Sequence, residues 1–91
     1  MMNDYPTDEQ LDIIAHWKMS DLGGMMAYIK PLWNYADCGY WEEDDKEYRI
    51  STGGWSGNED IIDAMRHNHI WWMMFWYQSR RGGHYIFKSH Q

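Results

Sequence analysis

The stretch that decides the fold is Ile70-Trp71-Trp72-Met73-Met74-Phe75-Trp76-Tyr77-Gln78-Ser79-Arg80-Arg81-Gly82-Gly83-His84-Tyr85-Ile86-Phe87-Lys88. A long apolar run leads into a polar, glycine-containing turn, and a shorter mixed run follows. Gly82-Gly83 supplies the positive φ that a tight hairpin requires. The pattern predicts a strand over residues 70–78, a turn over 79–83 and a returning strand over 84–88. Along the first strand Trp71, Met73, Phe75 and Tyr77 alternate with Trp72, Met74 and Trp76, so both faces are apolar. A strand of that kind is covered on both sides or sits in an interface. It is expected at the centre of its sheet, with Trp71, Trp72, Trp76 and Tyr77 as candidate interface residues.

Upstream, Tyr48, Ile50 and Thr52 alternate with Glu47, Arg49 and Ser51, the pattern of a half-buried strand. Tyr40 and Trp41 are placed to pair with it across the acidic connection 42–46. A glycine-rich junction, Gly53-Gly54-Trp55-Ser56-Gly57-Asn58, then leads into a helix over about 59–68. Ser56 and Glu59 have capping-box spacing, and Asn58 is a second N-cap candidate. This helix is expected to bury Ile61, Ile62 and Met65 and to expose Asp60, Asp63, Arg66 and His67.

In the N-terminal third, Thr7 and Gln10 read as a capping box opening a helix over about 8–19. Leu22, Met25, Met26 and Ile29 fall at helical spacing, and Pro31 stops that second helix near Lys30. Residues 32–41 are ring-rich and carry no clear period. The expected architecture is α+β, a single domain over 1–91. N-terminal helices and one middle helix pack on a roughly four-stranded antiparallel sheet made of two hairpins. Three short helices are few to cover both faces of such a sheet, so a homodimer or a tight partner contact is expected.

Composition narrows the function classes. Seven Trp, seven Tyr and two Phe, with eight Met, three Leu and no Val, mean a core of rings, thioethers and isoleucines. Such a chain is not disordered, and not a leucine-rich coiled coil. Fourteen acids against eight Lys and Arg give a net charge of −6. That argues against binding duplex nucleic acid, whose affinity rests on cationic contacts to phosphate. The single cysteine, Cys38, excludes an internal disulfide framework and points to a reducing, cytoplasmic compartment. The first residues show no signal-peptide pattern, and the longest apolar run is too short to cross a membrane.

Chemistry concentrates in two places. The junction of Gly53, Gly54, Trp55, Ser56, Gly57 and Asn58 could bring backbone N–H groups to an anion, or could serve only as a turn and helix cap. Arg80, Arg81 and His84 form the only concentrated basic feature, able to grip a phosphate or carboxylate or simply to sit as a solvated hairpin tip. Gly54-Trp55-Ser56-Gly57-Asn58 approaches a nucleophile elbow, with Asp63 and His84 following, but lacks the last glycine and the large sheet that motif needs. His67 and His69 are spaced for a metal, yet no partner cysteine pair accompanies them. No metal and no cofactor are expected.

Ser51-Thr52-Gly53-Gly54-Trp55-Ser56-Gly57-Asn58-Glu59, the ring-rich segment 71–76 and Arg80-Arg81-Gly82-Gly83-His84-Tyr85 together resemble small proteins encoded by tailed bacteriophages and prophages. The resemblance covers about half the chain and carries no assigned activity or site. It implies expression in the cytoplasm of a bacterial host and an accessory role against host machinery. The expected function is therefore a non-enzymatic binding protein that inhibits a host defence or regulatory system through an acidic and aromatic surface. The alternative is sequestration of a small phosphorylated or nucleotide ligand by the glycine-rich junction and the arginine turn. A small hydrolase is a distant third.

Overall fold

The computed structural model describes residues 5–36, 39–45 and 47–89. In chain order the elements are α1 (Asp8–Ala15), α2 (Leu22–Ile29), a 3-10 turn (Lys30–Leu32), β1 (Trp41–Glu43), β2 (Glu47–Ser51), α3 (Ser56–His67), α4 (His69–Phe75), β3 (Trp76–Arg80) and β4 (His84–Lys88). The fold is α+β with a four-stranded antiparallel sheet, as its local patterns predict.

The helix starts follow from side chains competing for free backbone N–H groups. At α1 the capping box is complete: the Gln10 amide donates to Thr7 Oγ1 at 3.1 Å and the Thr7 amide to Gln10 Oε1 at 2.8 Å. α1 ends at Ala15, short of the expected 19, because Asp21 starts a new helix. Asp21 accepts from the Gly24 amide at 2.9 Å and from the Trp17 indole at 3.0 Å, which ties the break together. The Gly24 amide, and after it the Trp17 indole, hold the Asp21 carboxyl below its usual pKa.

The strand expected over 70–78 is corrected. Residues His69–Phe75 are helical, and only Trp76–Arg80 form β3. A run that is apolar on every side has no period to separate helix from strand, and its Trp and Met residues do not resist a helix. Tertiary contacts decide the matter. Asn68, between α3 and α4, donates to the carbonyls of Ile14 at 3.2 Å and Trp17 at 2.9 Å, turning the chain at the end of α1. One helical turn then brings Trp71 and Phe75 to the same side, where Trp71 packs on Phe87 at 5.6 Å and Phe75 at 5.3 Å.

The sheet order is β1-β2-β4-β3, so β3 is an edge strand and β4 is central, the reverse of the expectation. Directly opposed residues share a face. Trp41, Ile50 and Tyr85 align in one row, and Tyr48, Phe87 and Trp76 in another; this face meets the helices. Glu42, Arg49, Ile86 and Gln78 form a row on the other face, and Ser51, His84 and Arg80 form the next. Apart from Ile86, those two rows are polar.

The core is what the composition demands. Ile14, Met25, Met26, Ile29, Ile61, Met65, Trp71 and Phe87 are completely buried. Trp71 is therefore core and offers nothing to an interface, correcting its expected role. Trp72 is half-buried, while Trp76 and Tyr77 keep 38% and 46% of their surface exposed.

Candidate functional site

The glycine-rich junction is organised by Thr52. Its carbonyl accepts from the Trp55 amide at 3.0 Å, its hydroxyl accepts from the Gly54 amide at 3.3 Å, and its own amide donates to Gly83 O at 3.0 Å. Gly53 has a positive φ of 62°, and a Cβ there would stand 2.1 Å from the Tyr40 ring. α3 starts at Ser56 rather than 59, with Trp55 at the N-cap and no side-chain cap bond. The Ser56 hydroxyl instead meets the Tyr5 phenol at 3.0 Å, and the Trp55 ring packs on Tyr5 at 4.7 Å.

Asn58 is neither cap nor ligand group. It is fully buried; its Oδ1 accepts from the Asn34 amide at 2.8 Å, and its Nδ2 donates to Asn34 O at 3.1 Å and Thr52 O at 3.4 Å. Gly57 is buried beside it. Glu59 adds a carboxylate that accepts from the Thr52 hydroxyl at 3.4 Å. The Gly54 and Trp55 amides and the Asn58 side chain are thus engaged inside the chain, the buried Trp55 indole N–H has no hydrogen-bond partner among the described residues, and the Glu59 carboxylate disfavours an anion at the helix start.

The arginine turn is placed differently. Arg80 and His84 reach a hollow of about 340 Å³ on the open sheet face, together with Ser51, Arg49, Glu42 and Ile86. Ser51, His84 and Arg80 stand directly across from one another on three adjacent strands. The Ser51 hydroxyl is hydrogen-bonded to His84 Nδ1. Arg49 is held by Glu42 at 3.6 Å, Asp44 at 3.5 Å and a close contact with Glu47, and the Glu47 hydrogen bond leads in raising its pKa. Arg80 makes no ion pair among the described residues. Arg81 is exposed at the hairpin tip and lies outside the hollow, as does the whole Gly53–Asn58 junction. Ser51 and Arg49 were missed as site residues: alternation marks them as solvent-facing, but strand register is what sets them beside His84.

Ser56 and His84 are each engaged by a residue outside the elbow set that the sequence suggests. Ser56 bonds to Tyr5, while His84 bonds to Ser51 and Asp63 O faces His67 Nδ1 at 2.8 Å. Among the described residues no group of three or more His, Cys, Asp or Glu side chains is placed to hold a metal ion. Cys38 lies outside the described residues.

Two further surfaces stand out. On α4 and β3, Ile70, Met73, Met74, Trp76 and Tyr77 form a run of exposed apolar side chains, with Met73 75% exposed. Beside them Trp72 stacks on Trp76 at 6.2 Å, and the Arg66 guanidinium lies 5.3 Å from the Trp72 ring. Between α1 and α3, Asp8, Asp12, Asp60 and Asp63 border a groove floored by Leu11 and Ala64. No described helix is long and apolar enough to cross a membrane. No protein-family model matches the chain, and no curated protein or solved structure matches it significantly.

Proposed function

We propose that this chain is a small non-enzymatic binding protein that inhibits a defence or regulatory protein of a bacterial host. The observation that carries the proposal is the apolar ledge on α4 and β3. Met73 and Met74 close no part of the core, and flexible thioethers suit adaptable protein contacts. The aspartate-lined α1–α3 groove adds attraction for a basic partner in a chain of net charge −6. The partner is thus a protein that offers an apolar patch to the ledge and Lys or Arg to the groove.

The test is in-cell crosslinking in a bacterial host, followed by affinity measurement with the purified partner. Met73→Glu and Asp63→Lys should each weaken binding by about tenfold or more, with melting temperatures within a few degrees of the parent. A partner whose affinity ignores both changes refutes the proposal. The expected homodimer would use the same ledge, and sedimentation of the free protein separates the cases. A dimer dissociated by Met73→Glu makes the ledge a self-contact instead.

A further inference from the structure

We infer that the hollow on the open face of the sheet is a binding site for a small phosphate monoester carrying hydroxyl groups. It is independent of the protein-binding ledge, which lies across α4 and β3. Three features carry the inference.

The first is the row of Ser51, His84 and Arg80, brought together by the register of β2, β4 and β3. Adjacent strands lie about 4.8 Å apart, so a single phosphate group spans two neighbouring members of the row. Arg80 supplies a forked guanidinium suited to two oxygens of one anion. When the Ser51 hydroxyl donates to His84 Nδ1, the proton of the neutral ring resides on Nε2, leaving a second donor for the same anion.

The second feature is charge accounting within the hollow. Arg49 is more than balanced by Glu42, Asp44 and Glu47, three carboxylates on one guanidinium, whereas Arg80 has no carboxylate partner among the described residues. In a chain of net charge −6, a guanidinium left unpaired at a concave polar surface is the natural seat for an external anion.

The third feature sets the ligand class. Glu42 lines the same hollow as Arg80. A carboxylate there repels a chain of phosphates but accepts hydrogen bonds from sugar hydroxyls, and Ile86 gives a small apolar floor. The turn that carries Arg80 is held firmly, because Gly83 packs against the buried Thr52 side chain and accepts from its amide at 3.0 Å.

The test is a titration of the full chain, followed by amide and arginine Nε–H resonances, with ribose 5-phosphate, ribose and inorganic phosphate. Ribose 5-phosphate should give saturable shifts at Ser51, Arg80 and His84 with a dissociation constant of about 1 mM or below, while ribose gives none. Arg80→Gln should weaken binding about tenfold or more, as loss of a charge-assisted contact requires, and Ser51→Ala should weaken it less. Arg81→Gln, at the exposed tip, should leave binding within about twofold. No saturable shift by about 20 mM overturns the inference. Equal losses from Arg80→Gln and Arg81→Gln do so too, because they would mean diffuse charge attraction. Inorganic phosphate binding as tightly as ribose 5-phosphate overturns the monoester class.

Discussion

Replacing Asn58 with Ala tests the central structural claim about the glycine-rich junction. In the native chain this fully buried amide exchanges two hydrogen bonds with the Asn34 backbone, at 2.8 and 3.1 Å, and makes a longer one to Thr52 O at 3.4 Å. Each is worth about 1 kcal/mol net, and backbone groups stranded in the interior cost about 1–3 kcal/mol more. Asn34 is half-buried, so water recovers part of that penalty. The expected loss is about 3 kcal/mol, against about 1 kcal/mol if Asn58 were only a helix cap. For a domain of this size that lowers the melting temperature by about 12–24 °C. Urea unfolding followed by tryptophan fluorescence measures it, with an unchanged slope confirming that the fold is otherwise intact. Asn34→Ala is the control. The clamp uses the backbone of Asn34, so its side chain should be replaceable within about 0.5 kcal/mol. A loss below about 1 kcal/mol in Asn58→Ala, or an equal loss in Asn34→Ala, refutes the clamp.

Two further perturbations probe the turn and the helix break. Gly83 has a φ of 80°, and a Cβ there would stand 2.2 Å from Thr52 Oγ1, whereas at Gly82 the nearest atoms are His84 ring atoms at 3.5 Å. Gly83→Ala should therefore cost about 2 kcal/mol or more and Gly82→Ala about 1 kcal/mol, read from thermal melts; equal costs would remove the Thr52 contact from the account. Asp21 is held below its ordinary pKa first by the Gly24 amide, then by the Trp17 indole. A depressed carboxyl contributes stability above its unfolded value of about 3.9 and loses it as pH falls through the folded value. Asp21→Asn, which retains a capping oxygen, should flatten the acid limb of the melting profile below about pH 4; an unchanged limb would show that other carboxyls govern it.

Signals that act over one or two turns of chain were legible in the residues. The Thr7–Gln10 capping box, the Leu22, Met25, Met26 and Ile29 stripe, the β2 alternation and the Gly82-Gly83 turn each form as read. Residues 70–75 were not legible, because rings and thioethers on every side leave no period to interpret. The start of α3 misled for another reason. Ser56 and Asn58 both look like caps, but Tyr5 engages one hydroxyl and Asn34 the other's amide, and both partners are remote in sequence.

The candidate sites divide in the same way. Arg80 and His84 were visible as a basic turn, but Ser51 and Arg49 join them only through the β2–β4 register. Trp71 and Trp76 were indistinguishable in the sequence, yet one is wholly buried and the other 38% exposed. By itself the sequence determined the materials of the core, the acidic balance and most of the element order, since propensity, capping and turn chemistry act between near neighbours. Only the tertiary structure decided which rings are core, which strand is central and which sheet face stays open. Burial and register depend on contacts between residues far apart in the chain, and no local pattern carries that information.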